Sequence, residues 1–418
     1  MSLKIKVPNV STSLFFLTVL SMQEFAELIP TTLFVIPGLF KYSDIGIIAS
    51  IVFFIWSYFG VKSKEKVNYT YAKYIVAFLI IMFISLVMPD YFFGQSIILG
   101  FRVKRKLIIC FLLYFPVTRL LKTGQIGYKQ LLKILFIVGT FELIVYTLQY
   151  LLVDIVTFTY IDTTEMRYNS TRLRVPYLLP LILGLKCLSD VMTGKVKKMR
   201  GIAMHTIYFV WAFFLLVIIC KHRAPALILA CTIGLAYVIW KKKLTVKILS
   251  GIIVFAILVL FVFNSTLVYQ MFDSTMQGIF NSLTGDISLS IRQSGQAYHL
   301  QRLLQSPIFG FGPPHNNNSA AYYASGAAYG FYLIDNGIVG FMYVHGIIGV
   351  IWLVLLFIKS YRMSWNLYKK KISYLFILYF FFETANLYIG MHWYYSYTLP
   401  FVMVLVMLEY EYDKSRFL

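Results

Sequence analysis

The side chains of this chain best placed to do chemistry are arginines. Arg167, Arg172 and Arg174 crowd into Glu165–Arg174 (EMRYNSTRLR), just ahead of an apolar run. Arg223 stands in Cys220-Lys221-His222-Arg223-Ala224-Pro225-Ala226, where another apolar run begins. Arg292 and Arg302 lie in a long polar stretch, residues 264–346. A guanidinium presents a planar fork of donors that grips phosphate or carboxylate through two parallel bonds. At Arg223 the free backbone N–H groups of a helix start add to that affinity. The chemistry indicated is the holding of an anion, such as a diphosphate linkage. Each arginine also has a plainer reading: interfacial anchoring, lipid-headgroup contact or snorkelling.

The composition says what must position these residues. The chain is 59% hydrophobic and 13% charged over 418 residues, and its mean hydropathy is +0.75. A soluble domain carries roughly 25% charged residues, so the reading is an all-α polytopic membrane protein. The net charge of +21 would suggest nucleic acid in a soluble protein; here the positive-inside rule accounts for most of it, and no nucleic-acid partner is expected. Cys110, Cys187, Cys220 and Cys231 lie in or beside apolar runs without ligand spacing. They read as small buried hydrophobes.

A bilayer core takes about 20 apolar residues per helix, which divides the chain into about twelve spans. The first nine centre on Leu14–Leu28, Ile45–Gly60, Tyr71–Met88, Leu107–Leu121, Leu131–Leu152, Val175–Leu188, Met204–Ile219, Ala224–Trp240 and Val246–Phe263. Three more centre on Ile338–Ile358, Ile372–Tyr388 and Tyr397–Leu408. This gives an N-terminal bundle over 1–263, an extracytoplasmic loop over 264–340 and C-terminal spans over 341–418. The first run has no small-residue cleavage site and continues toward Phe40, so it reads as an uncleaved span. Pro30 and Pro37 interrupt it, as part of a bent helix or a re-entrant piece.

Lysine clusters at 62–66, 122–133, 195–198, 241–247 and 369–371 fall on alternate loops and mark the cytoplasmic side. Both termini are then cytoplasmic, and 264–340 faces outward. The outward loops carry Arg102, Lys104, Arg105, Lys106, Arg167, Arg172, Arg174, Lys221, Arg223, Arg292 and Arg302. Topology asks only for positive charge, which either residue supplies. An outward preference for Arg therefore points to an anionic ligand at the outer leaflet.

Within the long loop, Arg292, Gln296 and His299 recur at i, i+4 and i+7. If Ser290–Gln305 is a helix, they share one face, with Ile291, Ala297 and Leu304 elsewhere. Ser306-Pro307 ends it, because Pro disfavours helical geometry in the residue before it. Gly310 and Gly312 allow a tight, backbone-accessible turn. His315 sits in a polar turn, and the Tyr/Ala run 320–332 is either a surface that stacks on sugar rings or packing within the loop. Glu142 and Glu383, inside apolar spans, should face the bundle, protonated or paired.

These residues resemble those of the O-antigen ligase and polymerase superfamily. Arg223-Ala224-Pro225-Ala226 after an apolar span is similar to its Ser-Arg-Gly-Ala element, although His222 and Pro225 depart from that pattern. Arg292 through Ser306-Pro307-Ile308-Phe309-Gly310-Phe311-Gly312 resembles its arginine, helix and Pro-Leu-Leu-Gly-x-Gly pattern. Asp335-Asn336-Gly337 ahead of His345-Gly346-Ile347-Ile348-Gly349 resembles its Asp-Asn-Gly or His-Asn element before Gly-Ile-Ile-Gly. Asp335 and His345 stand where ligases tend to carry His and Glu.

The resemblance implies a Wzy-type polysaccharide polymerase with a GT-C-like membrane fold in a bacterial plasma membrane. Such an enzyme moves glycan from undecaprenyl diphosphate onto a lipid-linked repeat unit. Arg223, Arg292, Arg167, Arg172, Arg174 and Arg302 would hold the diphosphate. A base among Asp335, His299 and His345 would take the acceptor proton, with Asp335 slightly favoured over His299. Asp335 also reads as a turn-former before Asn-Gly, and His299 as an interfacial hydrogen-bonding group. Inverting displacement calls for no metal or cofactor, and the outer loops show no carboxylate cluster with metal spacing. Implied partners are the lipid-linked oligosaccharide, membrane lipid, and chain-length regulator and flippase proteins. The alternatives are a ligase passing glycan to another acceptor and a lipid-linked oligosaccharide flippase. The flippase sits less well with a chain that lacks internal repeats and has one dominant loop.

Overall fold

The computed structural model describes residues 9–29, 44–61, 67–160, 166–167, 170–240, 287–395 and 397–417. The expected ninth span, Val246–Phe263, and loop residues 264–286 lie outside them. One small antiparallel hairpin pairs Met166–Arg167 (β1) with Ser170–Thr171 (β2). The other described elements are helical.

In chain order the helices begin with α1 (Val10–Met22), α2 (Asp44–Ile55), α3 (Ala72–Phe93), α4 (Ile97–Lys122) and α5 (Tyr128–Leu152). Next come α6 (Leu178–Thr193), α7 (Met199–Phe214), α8 (Arg223–Ile239), α9 (Ile287–Leu303) and α10 (Ser319–Ala324). The chain closes with α11 (Gly337–Lys369), α12 (Leu375–Asn386), α13 (His392–Tyr395) and α14 (Thr398–Ser415).

Among the described residues four helical stretches are long and apolar enough to cross a bilayer: Ala72–Phe93, Tyr128–Leu152, Met199–Ile219 and Leu333–Lys369. The α3 helix shows why these belong in lipid. Its buried side carries Ile75, Phe78, Met82 and Leu86, yet Val76, Ile80, Phe83 and Val87 lie exposed on the other. A water-facing helix would place charged residues there. The helical, membrane-associated architecture follows from that two-sided apolarity.

The second outward loop, between the third and fourth expected spans, is not a loop. Arg102, Lys104, Arg105 and Lys106, expected between two spans, form early turns of α4, so only Gly94–Ser96 connects α3 to α4. Lys and Arg are good helix formers, and partners hold these charges. Arg105 pairs with Asp44 at 2.7 Å and Lys106 with Glu24 at 2.6 Å. Lys104 is buried, its ammonium 3.9 Å from the centre of the Tyr394 ring. Two other expectations also shift. The first helix stops at Met22, before a left-handed turn at Glu24–Glu27. Cys231 is exposed, whereas Cys110, Cys187 and Cys220 are buried.

At the centre lies α11, which packs on α3, α9, α12 and α14. It is broken at Gly346 (φ 64°, ψ −166°), a conformation open in practice only to glycine. In an unbroken helix Ile347 and Ile348 would donate to Tyr343 and Val344. The Ser306–Gly312 turn intervenes instead. Phe311 and Gly312 donate to the Tyr343 and Val344 carbonyls at 2.7 and 3.0 Å, while Ile347 and Ile348 donate to Pro307 and Ile308 at 2.9 and 3.4 Å. Broken backbone inside a bundle must find protein partners, and this turn supplies both halves. A Cβ on Gly310 would lie 2.5 Å from the Tyr343 oxygen, and one on Gly312 2.0 Å from the Ser85 oxygen. The glycines permit that approach.

Candidate active site

The break in α11 anchors the loop over the bundle, and the loop anchors α9. On α9, Arg292 is half-buried, Gln296 is partly buried and His299 is fully buried, whereas Ile291, Ala297 and Leu304 are exposed. The expected shared face is the one that packs. It meets a short 3-10 turn, Leu333–Asn336, that leads into α11.

Between α9 and that turn lies a cleft of about 220 Å³, lined by Ile291, Arg292, Gly330, Phe331, Tyr332, Asp335 and Asn336. Arg292 Nη2 stands 4.0 Å from Asp335 Oδ1 across it, with the two side chains 34% and 48% exposed. Such a long, wet pair contributes at most about 1 kcal/mol. A ligand can therefore separate the two charges at small cost. The guanidinium offers donors to an anion, and the carboxylate accepts a proton or a hydroxyl hydrogen bond.

His299 lies beneath this cleft rather than in it. Its Nε2–H donates to the Ser325 carbonyl at 2.8 Å, which leaves Nδ1 to accept the Asn336 side-chain N–H at 3.2 Å. Asn336 also donates to the Tyr332 carbonyl at 3.0 Å. Burial pushes the His299 pKa below its ordinary value, against the raising effect of the hydrogen bond to the Ser325 carbonyl. The imidazole is a neutral clamp joining two turns to α9. Gly295 lets Asn336 seat, since a Cβ there would lie 3.0 Å from its amide nitrogen.

The remaining candidates fall elsewhere. His345 is buried just before the α11 break; its Nε2 pairs with Tyr394 Oη at 2.6 Å and its Nδ1 with Ser85 Oγ at 2.7 Å. Ser85 also donates to Ile81, so Nδ1 carries the proton and Nε2 accepts from Tyr394. His345 thus ties α11 to α3 and α13. Arg302 rests near Tyr298, its Nε 3.4 Å from Tyr298 Oη.

Arg172 is buried, donating to the Cys220 carbonyl at 2.8 Å and to His222 Nδ1 at 3.1 Å. It braces the turn from which Arg223 opens α8. Lys221 in that turn is buried with φ 48°. Arg174 is exposed, and Arg167 lies in the β1 hairpin. Two of the sequence's arginine groups, 172–174 and 220–223, are thereby neighbours, while Arg292 sits with Asp335.

The sequence does not single out Asn336 as a site residue, whereas Phe331 and Tyr332 belong to the Tyr/Ala run 320–332, read either as a sugar-stacking surface or as packing within the loop. The signal for Asn336 is the Asp335-Asn336-Gly337 element, in which the sequence marks only Asp335 as a candidate. Glu142 and Glu383 face the bundle as expected: both are buried, and Glu142 Oε1 accepts from Gln23 at 2.9 Å. No protein-family model matches the sequence, and no curated protein is significantly similar to it.

Proposed function

We propose that this chain is a polysaccharide polymerase of the Wzy type: a GT-C-like membrane glycosyltransferase of about twelve spans. It moves polyprenyl-diphosphate-linked glycan onto a lipid-linked repeat unit at the outer face of a bacterial plasma membrane. The observation that carries this reading is the Arg292–Asp335 cleft, an anion-holding group and a proton acceptor facing each other between α9 and the turn that leads into α11.

In the proposed step the acceptor hydroxyl oxygen attacks the anomeric carbon of the donor. As that bond forms, the anomeric C–O bond to the diphosphate breaks and its electron pair leaves with the phosphate. Asp335 takes the acceptor proton. Arg292 stabilises charge on the departing diphosphate more strongly than on the intact donor, which is what lowers the barrier. Arg223 at the start of α8, braced through Arg172, supplies a second anion-binding position at a helix N-terminus.

Purified protein mixed with lipid-diphosphate-linked repeats tests the reading. A ladder of products supports the polymerase. Transfer only to a non-lipid-linked acceptor supports the ligase alternative, and movement of intact lipid-linked repeats across a vesicle bilayer without coupling supports the transporter.

A further inference from the structure

The cleft continues into an aromatic surface that the proposed chemistry does not use. Phe331 in the cleft wall packs 5.7 Å from Tyr298 and 6.3 Å from Tyr329, and Tyr298 and Tyr329 lie 6.2 Å apart, ring centre to ring centre. The Arg302 guanidinium closes the far end, 5.8 Å from the centre of the Tyr298 ring. Tyr329, Tyr323 and Tyr332 are 60%, 57% and 54% exposed. Their backbone is fixed: Gly326 and Gly330 bracket Tyr329 in left-handed turns, and His299 holds the Ser325 carbonyl.

We propose that this Phe331–Tyr329–Tyr298 face, running from the cleft to Arg302, is a track for the glycan part of a substrate, a chain of linked sugar rings. Sugar rings present apolar C–H faces edged by hydroxyls. They match aromatic faces edged by phenol oxygens and a guanidinium better than an aliphatic surface does. Rings already packed against one another also lose little freedom on binding. The aliphatic side of α9 lies elsewhere, where Leu300 and Leu304 are exposed one turn apart. The proposal rests on the polymerase reading and adds where the growing chain lies.

The test compares donors carrying one repeat with donors carrying several, both on polyprenyl diphosphate, using the full chain in nanodiscs. Tyr329→Ala is expected to couple the single-repeat donor as the wild type does. With the long donor it should lose about tenfold, roughly one aromatic contact, and its products should be short. Tyr329→Phe, which keeps the ring, should match the wild type. Equal loss with both donors overturns the track, as does an unchanged product length. Loss of membrane insertion at unchanged product length assigns the tyrosines to the lipid interface and also overturns it. If the wild type couples no repeat at all, the polymerase reading falls separately. Saturation-transfer NMR with a free linear oligosaccharide then decides: transfer lost in Tyr329→Ala supports the track, and no transfer to the wild type overturns it.

Discussion

Asn336 donates its side-chain N–H to His299 Nδ1 at 3.2 Å, and this bond locks the floor of the cleft. Through it, one buried imidazole fixes the Asp335–Asn336 turn and, by its other nitrogen, the tyrosine-rich turn at Ser325. Asp335 and the aromatic face are held on α9 by the same ring.

The clamp gives a pH dependence. Burial lowers the folded pKa of His299 below its ordinary 6.5, so the unfolded chain takes up the proton first. The stability it contributes is fully present above pH 6.5 and is lost as pH falls toward the folded value. Thermal midpoints of the purified protein should drop between pH 7.5 and 5.5. His299→Gln should be less stable at pH 7.5 but show a shallower drop; an unchanged slope contradicts the clamp.

The two charges of the cleft should separate kinetically. Asp335→Asn keeps the shape and removes the proton acceptor, so coupling should fall by roughly 10²–10⁴-fold. Arg292→Ala should also lose activity, and Arg292→Lys should recover only part of it, because an ammonium lacks the planar fork. Full recovery by Lys would reduce Arg292 to a point charge.

Gly346 tests the docking of the loop on the broken helix. A Cβ there would stand 2.1 Å from the Ile308 oxygen, and the backbone conformation itself costs a non-glycine residue about 1–3 kcal/mol. Gly346→Ala should lower the thermal midpoint and activity together. A midpoint equal to the wild type would mean the turn does not need this break.

A buried cluster at the other end of the bundle governs stability alone. Glu409 is fully buried and accepts from Tyr114, from the Thr70 N–H at 2.9 Å and from Lys122 at 2.5 Å. Removing the carboxylate leaves the Tyr114 hydroxyl and the Thr70 N–H without their acceptor, at a cost of about 1–3 kcal/mol each, while Lys122 keeps Asp413 at 2.7 Å. Glu409→Ala should lose much of its folded yield, read by size-exclusion profile and thermal midpoint.

These contacts also show what the sequence makes legible. Apolar run lengths mark α3, α5 and α11, because bilayer thickness dictates them. The i, i+4, i+7 spacing of Arg292, Gln296 and His299 marks the packed face of α9, because helix geometry dictates that. Ser306–Gly312 and His345–Gly349 stand out as separate motifs, yet nothing local says that each supplies the other's backbone partners. The basic run of α4 reads as a loop because Asp44 and Glu24, which hold it, lie far away in sequence. Glu409 reads as part of a span for the same reason: its partners Thr70, Tyr114 and Lys122 come from distant elements. The role of His299 was hidden because a proton acceptor and a neutral clamp share one residue type, and only burial tells them apart.

The most direct test of the central claim counts what leaves the cleft. In a reaction of purified protein with lipid-linked repeats, polyprenyl diphosphate released and glycosidic bonds formed are measured together. The account predicts one released per bond, with both falling in parallel in Asp335→Asn. Bond formation at the wild-type rate in that variant, or diphosphate release without bond formation in the wild type, would contradict it.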